Sequence, residues 1–189
     1  MKKAFPYLLT LALFTSCTKK TDNITTTEGE TVTDSLNNTT TSPSVKNSAP
    51  TLKEWSAEKV GNLVAAKNND TLYVTNFFAT WCGPCVRELP HFKNNMDKMK
   101  GQPVKFTFVS LDQVDDWAAK VPAFSQEHGI SENVILLNGE NLGLDFFRTN
   151  FKKWDGGSIP FTIFSKNGKI DEVVGSMSEE VLNEKLNQF

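Results

Sequence analysis

The sequence predicts an α/β domain, a central mixed β-sheet with helices on both faces. Three observations carry that prediction. Short apolar runs rich in β-branched and aromatic residues alternate with stretches of helical periodicity, the pattern of layered strands and helices. The run at 72–79, Leu-Tyr-Val-Thr-Asn-Phe-Phe-Ala, breaks off and leads into Trp81-Cys82-Gly83-Pro84-Cys85, as when a buried strand delivers side chains to the start of a helix. Near the C-terminus, 161–164 and 170–174 flank Lys166-Asn167-Gly168-Lys169, whose Asn-Gly pair favours the positive φ of a tight hairpin.

The chain has 189 residues, room for one ordinary domain and appendages. Residues 1–16 carry the Lys2-Lys3 start and short apolar core of an export leader, too short to span a bilayer comfortably. Phe14-Thr15-Ser16-Cys17 resembles a bacterial lipoprotein cleavage box, which predicts cutting before Cys17 and lipidation of that cysteine. An ordinary secretory leader is the alternative. Residues 17–50 form a disordered tether: Thr, Ser and Asn make up more than half of 18–50, and such a stretch buries too little apolar surface to offset its ordering entropy. As a flexible coil it would reach on the order of 30 Å. The folded domain is 51–189. Net charge is −2, becoming −4 if Lys2 and Lys3 leave with the leader, and no basic stripe is present, so no nucleic-acid partner is expected.

Within the domain, 54–67 reads as a helix with Trp55, Val60, Leu63 and Val64 on one side, closed by the Asn68-Asn69-Asp70 turn. After the cysteines, Cys85, Leu89, Phe92, Met96 and Met99 recur at helical spacing. Pro90 is placed to kink this helix, and Gly101 and Pro103 end it. Residues 104–109 alternate as a strand, and Asp112 is expected to cap a helix carrying Trp117, Val121 and Phe124 down to Gly129. A short strand at 134–137, a helix at 142–151 and the hairpin follow. A last helix opens at Ser178 with Val181, Leu182 and Leu186 inward.

The cysteines divide into Cys17 and the pair Cys82/Cys85. At a helix start, backbone N–H groups lack intrahelical partners and the dipole is positive, so a thiolate at Cys82 is stabilised. That makes Cys82 the nucleophile and Cys85, one turn on, the thiol that resolves a mixed disulfide. Other readings exist. Zinc needs four ligands, and His91 and His128 stand at no finger-like spacing, so no metal is expected. Covalent haem attachment wants a histidine where Val86 stands. A structural disulfide gains little from so short a loop. Trp81 either fills the core or walls a docking surface beside the nucleophile. Asp115 and Asp116 read as helix N-terminal charges, and His91 and His128 as surface or helix-end residues.

Residues 76–90, Asn-Phe-Phe-Ala-Thr-Trp-Cys-Gly-Pro-Cys-Val-Arg-Glu-Leu-Pro, resemble the active-site segment of thioredoxin-like proteins of the TlpA/ResA type. The likeness spans about 51–189 and is strongest around the cysteines and Ile159-Pro160. It implies a thioredoxin fold in which Pro160 is cis and lies across from the cysteines, with the Ile159 backbone pairing a client strand. Trp81, Gly83 and Pro84 are assigned to the same docking surface. For Glu88 it implies a partly buried carboxylate that raises the Cys85 pKa and takes its proton; on spacing alone Glu88 reads also as a solvated helix charge. Asn76 stands where cytosolic thioredoxins carry a buried aspartate, which leaves proton handling to Glu88.

Gly-Pro between the cysteines and Ile before Pro160 resemble thioredoxin, with a potential near about −270 mV, rather than the strong oxidants of this fold near about −120 mV. The expected function is an exported, membrane-tethered thiol–disulfide oxidoreductase that reduces disulfides in exported proteins. It needs no cofactor and is regenerated by a membrane thiol electron donor. It is a monomer on the periplasmic side of the cell envelope, held to the inner or outer membrane through Cys17. A periplasmic oxidase or isomerase and a redox-inert peptide-binding lipoprotein are the alternatives. Maturation of c-type cytochromes and repair of oxidative damage are jobs such proteins do. A peroxidase would need Thr or Ser three residues before its cysteine, where Ala79 stands.

Overall fold

A computed structural model describes residues 51–189. The leader expected at 1–16, the lipidation expected at Cys17 and the tether expected at 17–50 all fall outside the described residues. Six strands form one sheet: β1 (Lys53–Glu54), β2 (Leu72–Phe78), β3 (Val104–Ser110), β4 (Val134–Leu136), β5 (Phe161–Lys166) and β6 (Lys169–Val174). Their order is β1-β4-β3-β2-β5-β6. The first four in that order run parallel; β5 is antiparallel to β2, and β6 to β5. Five helices connect them: α1 (Ala57–Val64), α2 (Gly83–Lys98), α3 (Lys120–Glu127), α4 (Leu144–Asn150) and α5 (Glu179–Asn187). This is the mixed, helix-covered sheet that the alternating pattern predicts.

The pleat sorts side chains into two cores, because successive strand residues point to opposite faces. Leu72, Val74 and Phe78 of β2, with Phe106 and Phe108 of β3, pack under Leu89 and Phe92 of α2, Val121 of α3 and Leu182 and Leu186 of α5. Phe77, Val109, Ile135, Phe161 and Ile163 face the other way, toward Val60 and Val64 of α1 and toward Phe151 and Trp154 beyond α4. Each fully buried side chain of this size contributes about 1.5–3 kcal/mol relative to exposure. The hairpin turn uses Asn167 at φ 49° and Gly168 at φ 77°, as the Asn-Gly signal requires. Ser178 caps α5, its hydroxyl accepting the Val181 N–H at 3.3 Å. Among the described residues no helix is long and apolar enough to cross a membrane.

Three sequence expectations are corrected. The helix expected at 54–67 covers only Ala57–Val64, opened by Ser56, because Lys53–Glu54 pair with Ile135 and Leu136 as an edge strand. Asp112 caps no helix. A 3₁₀ turn at Val114–Asp116 precedes α3, and neither has a side-chain cap. Val181 is 40% exposed, whereas Leu182 and Leu186 are buried. Helix α2 runs through Pro90 without interruption.

Candidate active site

Strands β2 and β3 end side by side, the Leu111 N–H donating to the Phe78 carbonyl at 2.9 Å. Beyond β2, the Cys82 N–H donates to the Ala79 carbonyl at 3.1 Å, closing a turn that leaves Cys82 as the N-cap of α2. Pro84 suits the first helical turn because its fixed φ matches the helix and its missing N–H removes an otherwise unpaired donor. Cys82 and Cys85 are joined as a disulfide. The Cys85 N–H points at Cys82 Sγ from 3.3 Å, so a free backbone donor of the helix start does reach the first sulfur. Cys82 is 5% and Cys85 1% exposed, while Trp81 stands 64% exposed beside them.

The Ile159–Pro160 peptide bond is cis, and the Ile159 carbonyl oxygen lies 3.7 Å from Cys82 Sγ. Between these segments opens a groove of about 540 Å³, lined by Trp81, Cys82, Gly83 and Pro84 on one side and by Leu111, Leu142, Phe147, Trp154 and 156–159 on the other. Its far wall is closely packed. Trp154 stacks on Phe161 at 4.5 Å and meets Phe147 edge-on at 5.3 Å, and its Nε1–H donates to the Ser158 carbonyl at 2.7 Å. Gly156 sits at φ 85°, and a Cβ there would stand 2.4 Å from the Phe147 ring, so only glycine lets the loop approach the wall. A larger cavity of about 700 Å³ lies at the other end of the sheet, beside Met99, Gly101 and Val104, and touches neither cysteine.

Behind the disulfide, Glu88 is not partly buried but 1% exposed. Asn76 of β2 and Thr162 of β5 are register partners on the face toward α2. Asn76 Nδ2 donates to Glu88 Oε1 at 2.8 Å and to Thr162 Oγ1 at 3.0 Å, and the Met177 N–H donates to Glu88 Oε2 at 2.9 Å. Loss of hydration on burial pushes the Glu88 carboxyl up to about 7, against the lowering effect of the Met177 and Asn76 donors. A carboxyl poised there exchanges a proton at neutral pH. Among the described residues no three His, Cys, Asp or Glu side chains gather as ligands for a metal ion.

The structure thus brings Trp81, Cys82, Gly83, Pro84 and Ile159 around one groove, with Pro160 buried next to Ile159 and outside the lining, and sets Cys85 and Glu88 behind it. Sequence reasoning missed the wall, Leu111, Phe147 and Trp154, and missed Asp112, whose carboxylate accepts the Thr80 N–H at 3.0 and 3.1 Å. The signal for Asp112 was faint but present: Ser110 and Thr80 place hydroxyls at the ends of two neighbouring strands, where a carboxylate finds donors.

The AhpC/TSA family profile matches residues 45–176 of the chain. The chain belongs to the AhpC/TSA family. Among curated proteins this AhpC/TSA member is similar to the thiol-disulfide oxidoreductase ResA of Bacillus subtilis (strain 168), at 29% identity over 114 residues, 59% of this chain and 58% of that protein. It is similar also to ResA of Oceanobacillus iheyensis, at 33% identity over 117 residues, 60% of this chain and 55% of that one. The chain therefore spans just over half the length of these curated relatives. Its fold is shared with a thiol:disulfide interchange protein of Chlorobium tepidum TLS, with TM-score 0.52, 21% identity, and coverage of 62% of this chain and 79% of that one. A thioredoxin-related protein of Neisseria meningitidis serogroup B gives TM-score 0.50, 23% identity, and coverage of 64% and 85%. Both establish the thioredoxin fold.

Proposed function

We propose that this chain is an exported, membrane-tethered thiol–disulfide oxidoreductase that reduces disulfides in exported proteins. The observation that carries the reading is the placement of the Cys82–Cys85 pair: one sulfur at a helix start lining an apolar groove, the other backed by a buried carboxyl near pKa 7. Similarity to the ResA thiol-disulfide oxidoreductases supports the reaction class.

In the reduced state the Cys82 thiolate attacks one sulfur of a client disulfide held along the Ile159 backbone, and the client's other sulfur leaves as a thiolate. Cys85 then gives its proton to Glu88 and attacks Cys82 Sγ, releasing the second client thiolate and closing the Cys82–Cys85 bond. Two electrons pass to the client. Trp81, Gly83, Pro84, Ile159 and Pro160 hold the client strand, and a membrane thiol donor restores the dithiol. Lipid on Cys17 and the 17–50 tether keep the domain at the envelope. Insulin reduction by wild type against Cys82→Ser tests the chemistry: loss of turnover in the variant supports it, and equal rates overturn it. The equilibrium potential tests direction, a value above about −150 mV making the chain an oxidant instead. Mixed disulfides trapped by Cys85→Ala would identify the clients, and mass measurement of the mature N-terminus would test the lipid.

A further inference from the structure

Asp112 follows β3 and is 1% exposed, yet the thiol chemistry above gives it no part. Its two carboxylate oxygens accept the Thr80 N–H at 3.1 and 3.0 Å, Oδ1 accepts the Thr80 hydroxyl at 2.5 Å, and Oδ2 accepts the Ser110 hydroxyl at 2.8 Å. The anchor is held in turn, since its own N–H donates to Ser110 Oγ at 3.2 Å and Trp117 Nε1–H donates to its carbonyl at 2.8 Å. Thr80 is the second residue of the turn from Ala79 to Cys82. Fastening Thr80 by two donors therefore fixes the segment that throws Trp81 outward and sets Cys82 on the helix start. A buried carboxylate is a costly way to tie a turn that a neutral acceptor could also tie. What it adds is charge, and turn geometry keeps that charge within roughly 10 Å of Cys82 Sγ.

We propose that Asp112 is a positioning residue for Cys82: it holds the Thr80 turn and its negative charge opposes ionisation of the Cys82 thiol, making the couple more reducing than the helix start alone would. This rests on the thiol–disulfide reading. The helix start lowers the thiol's pKa, which stabilises the dithiol form and favours an oxidant; a like charge behind the turn works against that. Other charges face the same region. From α2 come Glu88, deep behind Cys85, and Arg87, whose Nη1 lies 3.4 Å from where a Cβ on Gly83 would stand. From the 3₁₀ turn and α3 come Asp116 and Lys120, paired at 2.9 Å. Lys120 is held above its ordinary range first by the Asp116 hydrogen bond and further by the charges of Asp116 and Asp112.

The test uses the full chain, reduced, with iodoacetamide and mass-resolved alkylation of Cys82 across pH. Asp112→Asn keeps an acceptor for Thr80 and removes the charge. The alkylation midpoint should fall by about half a unit to one unit, and the equilibrium with glutathione should shift roughly three- to tenfold toward the dithiol. An unchanged midpoint and equilibrium in the folded variant overturn the proposal. Should Asp112→Asn not fold, Thr80→Val carries the test, since it cuts the hydroxyl tie and leaves the charge. A plateau alkylation rate changed by threefold or more, with no downward move of the midpoint, supports the proposal; a plateau within threefold, or a lower midpoint, sinks it. Neither readout needs a client, so absence of insulin reduction would overturn the functional reading separately from the Asp112 result.

Discussion

Under α2, α3 and α5 the core is interrupted by polar groups, with Asn76 donating to both Glu88 and Thr162 among Phe92, Phe108 and Phe164. Under α1 and α4 the core holds an aromatic cluster among aliphatic side chains, Phe77, Phe151, Trp154 and Phe161 meeting within 4.5–5.8 Å. A carboxyl in a hydrocarbon core costs free energy, so that face trades stability for a group that holds and releases a proton near pH 7. On the other face interlocked rings line the groove wall, and the buried carboxylate there, Glu172, accepts the Lys152 and Lys153 N–H groups outside the groove lining. On the proposed function, proton and electron chemistry belongs to one face and client docking to the other, and the two meet at Cys82.

Substitutions on each face can break that division. The largest effect belongs to Cys82→Ser, which removes the attacking sulfur; insulin reduction should fall at least a thousandfold with the fold intact, and a residual rate above that would move the chemistry elsewhere. Next comes Glu88→Gln. Resolution of a trapped mixed disulfide should slow roughly 100-fold near neutral pH, measured by quenched-flow release of the client thiol.

The same carboxyl makes a prediction on stability. Because its folded pKa is raised from 4.5 to about 7, its contribution is fully present below pH 4.5 and is lost as pH rises through about 7. Urea denaturation of wild type should therefore show stability falling by on the order of 3 kcal/mol over that window, and Glu88→Gln should flatten the curve. On the aromatic face, Trp154→Ala should cost about 3–5 kcal/mol and raise KM for insulin more than it lowers kcat. A kcat loss with unchanged KM would mean that the wall takes part in the chemistry. Smallest is Ser178→Ala, which removes the α5 cap beside Met177 and should cost about 1 kcal/mol by thermal unfolding, with little change in rate.

What the sequence disclosed and what it hid follow from the range of the interactions involved. Local chemistry was legible: Trp81 to Cys85 at a strand end, Asn167-Gly168 in its turn and Ser178 at its cap are each specified within a few residues. The Lys53–Glu54 strand was not, since two charged residues carry no periodicity and their pairing with Ile135 and Leu136 is made across the chain. Asp112 looked like a cap because it precedes a helical stretch; its partners Thr80 and Ser110 come together only when β2 and β3 lie side by side. The extent of Glu88 burial depended likewise on Met177 and Thr162, remote in sequence. Val181 failed for another reason. It sits at the edge of the α5 stripe, where helical spacing alone does not fix how far the sheet reaches.

The division of labour stands on unequal sulfurs. Competitive alkylation of the reduced full chain with limiting iodoacetamide, the two sites resolved by peptide mass, tests it most directly. Cys82 should be modified at least tenfold faster than Cys85 at pH 7, with an apparent pKa below the ordinary thiol value of about 8.5. Equal, slow modification of both thiols with ordinary titration would contradict it.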